Sequence, residues 1–170
     1  EAPYVLLKRI MIEDRGGTGM VGFGMGEENT ERLLAHPLGM VCSDSGARAP
    51  YGPLSEGSPH PRSYGTFPRL LGHYCRERQV MPLETAIHKI TSMPAARLNF
   101  LDRGVIRPGA IADLTVFDPD IVADQATFEN PHQYPAGILH VIVGGAFVIK
   151  AGEHTGATPG RVVKPDPVAV

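Results

Sequence analysis

The sequence predicts an α/β chain in two parts, and two observations carry that prediction. Residues 20–25 and 39–43 are apolar, strand-like runs on either side of a helical segment, which is typical of a βαβ unit with parallel strands. Near the other end, "ILHVIVGGAFVIKAG" has β-rich runs on both sides of Gly144-Gly145, a turn signal that predicts an antiparallel hairpin. The character of the sequence changes near Gly104, where we expect the boundary between the two parts.

Helical segments fill most of the first part. Residues 4–11 predict a short helix, and residues 27–35 predict a second one with acids in its first turn, where the helix dipole favours them. After a proline-rich loop over residues 45–65, Thr66 is expected to cap a helix that runs to about residue 79. Pro82 opens a further helix, and a short one follows from about residue 92. Residues 113–117 alternate as a strand.

Composition and charge exclude several classes of function. The chain has 170 residues and a net charge of −2, without a run of lysine or arginine, so nucleic acid is not expected as a partner. No apolar stretch has the length of a membrane span, so no membrane partner is expected either. No secretory signal is visible. The two cysteines, Cys42 and Cys75, form no paired motif, which predicts a cytoplasmic protein with both thiols buried in the core.

The sequence contains neither a dinucleotide-binding motif in the right context nor a histidine motif for zinc. Residues 17–22 match G-x-G-x-x-G, but a charged segment precedes the match and a strand-like run follows it. A dinucleotide site needs the reverse order, so we reject that interpretation. The seven histidines form neither His-x-His nor His-Glu-x-x-His, and the chain by itself displays no complete zinc site.

Asp44 and Arg62 are the candidate site residues, and each has a second interpretation. Asp44 directly follows the run 39–43, and ligands of α/β sheets and barrels bind at the carboxyl ends of strands. An aspartate that caps a Ser-Gly turn explains Asp44 equally well. Arg62, in His60-Pro61-Arg62, offers a fork of donors that suits a carboxylate. From spacing alone, an exposed arginine paired with a nearby acid is the favoured alternative.

Six stretches, in chain order, resemble one family. They are "MVCSDSG", "PHPRSYGTFPRLLGHY", "LETAIHKITSMPAARL", "DRGVIRPGAIADLTVFDP", "ATFENPHQYPAGILHVIVGGAFV" and "HTGATPGRVV". Together they resemble the C-terminal portion of the N-acyl-D-amino-acid deacylases, the D-aminoacylases of the amidohydrolase superfamily. The resemblance implies part of a metal-dependent hydrolase (β/α)8 TIM barrel with a small β-sandwich domain. Residues 1–104 would supply the C-terminal strands and helices of the barrel, and residues 105–170 the C-terminal part of the small domain.

The resemblance also implies a reaction and roles for particular residues. The family hydrolyses N-acyl-D-amino acids to a carboxylate and a D-amino acid, with one or two Zn²⁺ ions that activate water and polarise the carbonyl. Asp44 would take the proton from that water, pass it to the leaving amine, and act as a candidate ligand of a second metal. Arg62 would hold the α-carboxylate of the substrate, and Met25 would line the pocket. Arg48 or His60 would reach an acidic substrate side chain.

The main metal ligands of that family lie in barrel strands that this sequence does not contain. The resemblance therefore implies that a missing N-terminal barrel portion or a partner chain completes the site, and that this chain alone is inactive. Two alternatives stay open. One is a non-catalytic fragment or subunit that completes a partner barrel, and the other is a related cyclic-amide hydrolase of the hydantoinase or dihydroorotase type.

Overall fold

The computed structural model describes residues 1–20 and 22–166, which form a helical part followed by an antiparallel sheet. The helices are α1 (Pro3–Glu13), α2 (Glu27–Ala35), α3 (Arg62–Arg69), which continues as a π-helical segment (Leu70–Glu77), α4 (Leu83–Ile90) and α5 (Ser92–Arg97). A 3₁₀ turn (Gly52–Ser55) interrupts the long loop before α3. The strands are β1 (Leu114–Phe117), β2 (Ile138–Val143), β3 (Ala146–Lys150) and β4 (Glu153–His154), and they lie in the order β1-β2-β3-β4.

Local signals located most helices, with one error at α3. The prediction for residues 27–35 is confirmed at both ends, and residues 4–11 lie within α1. Helix α3 begins at Arg62, so Thr66 is not its cap. Pro61, with a φ of −50°, already has helical backbone, and the Thr66 hydroxyl donates to the Arg62 carbonyl from inside the helix. Pro61, and not Thr66, was therefore the residue that indicated where α3 begins.

The two predicted barrel strands are not formed in the described residues. Neither 22–25 nor 39–43 belongs to a strand, and Val21, within the first predicted strand, lies outside the described residues. Residues 41–45 do alternate between partly buried and exposed, as an extended chain does. The amide of Val41 donates to the Lys89 carbonyl at 3.4 Å, in a helix rather than a strand. Parallel strands form only beside neighbouring strands, and the described residues provide none here.

The predicted hairpin is confirmed. Strands β2 and β3 pair antiparallel, with Val143 opposite Ala146 and Gly144-Gly145 between them. Both glycines have positive φ, 56° and 83°, as a tight hairpin turn requires. The Asp113 carboxylate accepts a hydrogen bond from the Gly144 amide at 2.7 Å, which ties the turn to the chain before β1.

The core lies where the π-helical segment meets α4 and the segment around Val122. Its buried members are Leu70, Leu71, Tyr74, Cys75, Met81, Ala86 and Val122. Burial raises the pKa of the Cys75 thiol. The expectation that both thiols are buried is right for Cys75 and wrong for Cys42, which is exposed. Cys42 occupies an outward position of the extended segment because no neighbouring strand covers that face.

A buried lysine fastens the segment before Asp44 to α4. Lys89 is only 2% exposed, and its ammonium donates to the carbonyls of His36 and Gly39, the latter at 3.1 Å. A buried charge is tolerated when its donors are satisfied in this way. The start of the 39–43 segment is therefore held by α4.

Large apolar side chains remain on the surface of the helical part. Met20, Phe23 and Met25 are all at least four-fifths exposed, and Leu38 is nearly so. Exposed apolar side chains of this size are typical of a surface that packs against other protein or lines a ligand groove. No helix in the described ranges is both long enough and apolar enough to cross a membrane.

Gly72 offers a test of the core. A Cβ at this position would lie 2.3 Å from the carbonyl oxygen of Val122, a backbone atom that cannot move aside cheaply. We expect Gly72→Ala to lower the free energy of unfolding by about 2 kcal/mol, measured by urea denaturation. Gly160→Ala is the matched control, because no heavy atom lies within 4 Å of its added methyl group. Equal stability of the two variants would contradict this packing.

Candidate functional site

Four of the five predicted site residues line one cleft. Met25, Asp44, His60 and Arg62 all contribute to a cavity of about 730 Å³ between the extended segments, α3 and the chain after β1. The other residues that line it are Gly22, Phe23, Gly24, Thr30, Leu34, Val41, Cys42, Ser43, Pro61, Gly65, Thr66, Arg69, Leu70, Tyr74, Asp124, Ala126, Thr127, Phe128 and Glu129. The structure thus brings together residues that stand far apart in the sequence.

Asp44 and Arg62 are in direct contact at this cleft. Nη2 of Arg62 lies 2.9 Å from Oδ2 of Asp44, and the side chains are 45% and 81% exposed. Asp44 has a positive φ of 49°, a backbone conformation that aspartate adopts more readily than most residues. This is the pairing of an exposed arginine with a nearby acid that was the favoured alternative for Arg62, and both groups also line the cleft, where they face solvent.

His60 lies beside Arg62, and a backbone hydrogen bond fixes the orientation of its ring. Its Nδ1 accepts a hydrogen bond from the Arg62 amide at 3.0 Å, so a proton on the ring belongs to Nε2. Burial, followed by the charge of Arg62, lowers the pKa of His60. The ring packs edge-on against Phe128 at 5.0 Å, and Phe128 packs likewise on Phe23 at 5.1 Å. His60 therefore belongs to an aromatic wall of the cleft.

Of the other two residues predicted to contact the substrate, Met25 lies at the cleft and Arg48 does not. Met25 lines the cleft and is 85% exposed, so its thioether is available to a ligand. Arg48 is not among the residues that line the cleft; its guanidinium donates to the Glu56 carbonyl at 3.3 Å instead. The structure therefore does not bring Arg48 to the site.

The sequence did not indicate that the chain after β1 forms one wall of the cleft. Asp124, Thr127 and Phe128 line the cleft, and Asp124 pairs with Arg69 at 3.3 Å. A Cβ at Gly65 would lie 2.9 Å from the Cβ of Asp124, so α3 approaches this segment closely only because residue 65 is glycine. The stretch "ATFENPHQYPAGI" was singled out for its resemblance, but no pattern in it indicated which side chains face α3.

A histidine of the same stretch fastens α3 to the loop before it. The Tyr64 hydroxyl lies 3.0 Å from Nδ1 of His132, and Nε2 of His132 lies 2.9 Å from the Gly57 carbonyl oxygen. Nε2 must carry the proton to donate to that carbonyl, so Nδ1 accepts from Tyr64. The first turn of α3, which carries Arg62, is thereby held from two sides.

Comparison with known proteins identifies the family. A profile of the Amidohydrolase family matches residues 3–149, which is most of the chain. The chain belongs to the amidohydrolase family. The resemblance stated above for the D-aminoacylases is likewise confirmed. The D-aminoacylase of Alcaligenes xylosoxydans xylosoxydans is 46% identical over 145 residues, which are 85% of this chain and 28% of that protein.

Solved structures agree with this membership. A structure of D-aminoacylase, described for its binuclear metal centre, matches this amidohydrolase chain with a TM-score of 0.74 and 45% identity, over 82% of this chain and 28% of the other. The N-acyl-D-glutamate deacylase of Bordetella bronchiseptica, solved with zinc and a phosphonate inhibitor, matches with a TM-score of 0.66 and 45% identity, over 73% and 25%. The chain thus spans little more than a quarter of the relatives that it matches.

The donor set of this amidohydrolase chain does not form a zinc site by itself. Among the described residues, no group of three or more histidine, cysteine, aspartate or glutamate side chains is arranged to hold a metal ion. A catalytic zinc needs three protein ligands, and Asp44 is a single carboxylate paired with Arg62. The described residues around the cleft therefore do not complete a catalytic zinc site.

Proposed function

We propose that this chain is the C-terminal portion of a zinc-dependent N-acyl-D-amino-acid deacylase, to which it contributes Asp44 as the proton-transfer group and Arg62 as the carboxylate-binding group. Residues 1–104 would complete a (β/α)8 barrel, and residues 105–170 would belong to its small β domain. The remaining barrel strands come from a longer chain or from a partner. The exposed side chains of Met20 and Leu38, which do not line the cleft, support this assignment, because a barrel neighbour would cover them.

The observation that carries the proposal is the contact between Asp44 and Arg62 at 2.9 Å. In an N-acyl amino acid, the carboxylate and the amide nitrogen are attached to the same α-carbon. One group that binds the carboxylate and another that protonates the nitrogen must therefore lie side by side. An arginine and a carboxylate in contact at a cleft satisfy that requirement.

The arginine can serve both groups at once. The contact of Arg62 with Asp44 at 2.9 Å is made through Nη2, and a guanidinium carries five N–H donors that can also serve an incoming carboxylate. A planar fork binds a carboxylate with two parallel hydrogen bonds, which also fixes its orientation. Arg62 would therefore set the orientation of the amide relative to Asp44.

Asp44 would move the proton. Its carboxylate is accessible at the cleft, and it would accept a proton at Oδ2 as general base and donate it to the leaving amine as general acid. Zinc, when bound, would polarise the scissile carbonyl and lower the pKa of water. Asp44 also remains a candidate ligand of a second metal, in a site whose main ligands lie outside this chain.

The test is a substrate panel with the complete protein. We expect zinc-loaded protein to hydrolyse N-acetyl-D-amino acids, and to leave N-acetyl-L-amino acids and hydantoins intact. Hydrolysis of hydantoins alone would support the cyclic-amide alternative. Absence of hydrolysis across the panel, with zinc bound, would favour the non-catalytic alternative.

Arg48 is a further test, because it bears on the substrate side chain. Since its guanidinium is held by the Glu56 carbonyl and does not line the cleft, we expect Arg48→Ala to leave the preference between N-acetyl-D-glutamate and N-acetyl-D-leucine within about twofold. The measurement is the ratio of kcat/KM for the two substrates. A selective loss of activity on the acidic substrate would instead make Arg48 a specificity residue.

A further inference from the structure

The residues that follow Asp44 and Arg62 in the sequence also touch each other. The hydroxyl oxygens of Ser45 and Ser63 lie 2.7 Å apart in a partly buried contact between segments 18 residues apart in sequence. We refer to these two residues as the serine pair. It joins the backbone just after the proposed proton-transfer group to the backbone just after the proposed carboxylate-binding group.

The ion pair of Asp44 and Arg62 is a weak way to fix their spacing. Both side chains are substantially exposed, and water and salt screen such pairs. A substrate carboxylate on the same guanidinium would also weaken the attraction between Arg62 and Asp44, because its negative charge offsets part of the arginine's positive charge. The spacing therefore needs a contact that persists when the substrate arrives, and the serine pair makes no use of either charged group.

The segments on the two sides of the serine pair differ in the contacts that hold them. Ser63 lies in the first turn of α3, which is held by the Tyr64 and His132 contact and by the close approach of Gly65 to Asp124. Ser45 begins the long loop that leads to α3. A loop of that length does not itself set the distance between its ends.

We propose that the serine pair is a positioning device that holds Asp44 at a fixed distance from Arg62, so that one substrate molecule engages both. This inference rests on the proposed function. Neither serine touches the reacting atoms in this role; each acts through the residue that precedes it. A displacement of about 1 Å between two groups that act on one substrate costs up to about a hundredfold in rate.

The test compares two substrates in the complete zinc-loaded protein, an N-acetyl-D-amino acid and its α-carboxamide. The carboxamide has no charged carboxylate for Arg62 to bind. Its hydrolysis should therefore depend less on the distance between Asp44 and Arg62. We expect Ser63→Ala to lower kcat/KM about tenfold for the carboxylate substrate and less than about twofold for the carboxamide. Ser63→Thr keeps the hydroxyl and should restore kcat/KM to within about twofold of the unaltered protein.

The matched control is Ser55→Ala, a serine of the same loop whose hydroxyl donates only locally, to the Gly52 carbonyl at 2.7 Å. We expect this variant to keep both kcat/KM values. The double variant Ser45→Ala/Ser63→Ala should be no worse than Ser63→Ala, because each single change already breaks the contact. Thermal denaturation of each variant shows whether the protein is folded.

The outcomes separate this inference from the proposed function. If the unaltered protein hydrolyses the substrate and Ser63→Ala keeps full kcat/KM, the positioning role is wrong while the function stands. The same holds if Ser63→Ala lowers kcat/KM equally for both substrates, or if the two alanine substitutions act additively. If the unaltered protein hydrolyses no N-acyl-D-amino acid, both the function and the positioning role are overturned.

Discussion

Asp44→Asn should lower kcat by about a thousandfold in the complete protein, with little change in KM or stability. The amide keeps the shape of the carboxylate but cannot accept and return a proton at neutral pH. Asp44 is 81% exposed, so its replacement leaves no buried group without a partner. The measurement is steady-state kinetics on an N-acetyl-D-amino acid, with zinc content determined for each sample.

The control for this change is Asp124→Asn, in another carboxylate that lines the cleft. Asp124 pairs with Arg69 at 3.3 Å and has no proposed part in proton transfer. We expect this variant to retain kcat within about threefold, because a partly exposed ion pair contributes little. A variant of Asp44 with normal turnover would remove it from the chemistry, and loss of zinc from that variant would assign it to the metal instead.

Arg62→Lys should raise KM for N-acetyl-D-amino acids about thirtyfold, since each hydrogen bond to a charged group is worth about 1.5–3 kcal/mol. Lysine keeps the positive charge but loses the planar fork that holds a carboxylate in one orientation. The effect should be much smaller on the α-carboxamide of the substrate, which has no charge for the guanidinium to bind. Steady-state kinetics on both substrates measures the difference.

Arg69→Lys is the matched control, because Arg69 lines the same cleft but is engaged by Asp124. We expect it to change KM less than about threefold. If Arg62→Lys and Arg69→Lys raised KM equally, general positive charge in the cleft would explain binding. If neither did, the α-carboxylate would be bound elsewhere.

The sequence predicted those elements whose determinants are local. The hairpin depends on two consecutive glycines, and α2 on an acidic first turn and a following His36-Pro37, so both were located correctly. Residues 20–25 and 39–43 were predicted as strands from apolar runs, but a parallel strand needs partners that the described residues do not contain. Strand pairing depends on residues far away in the sequence, so a local apolar run cannot show whether a strand forms.

The site divides in the same way. The residue types of Asp44 and Arg62 made them candidates, yet spacing alone left each with a competing interpretation. Their contact, and the wall formed by Asp124 and Phe128, depend on how α3 packs against a segment some sixty residues later. The close approach at Gly65 determines that packing, and a single glycine in a helix gives no sign of its neighbour.

The cleft wall formed by the chain after β1 limits which segments can be swapped between this protein and its relatives in chimaeric proteins. Asp124, Phe128 and His132 follow the first strand of the sheet in the chain, yet they close the cleft and support the helix that carries Arg62. A chimaera joined near residue 104 would therefore take most of the cleft from one parent and the wall at residues 124–129 from the other. The two parts are separate in sequence, but the cleft keeps its shape only when both come from the same protein.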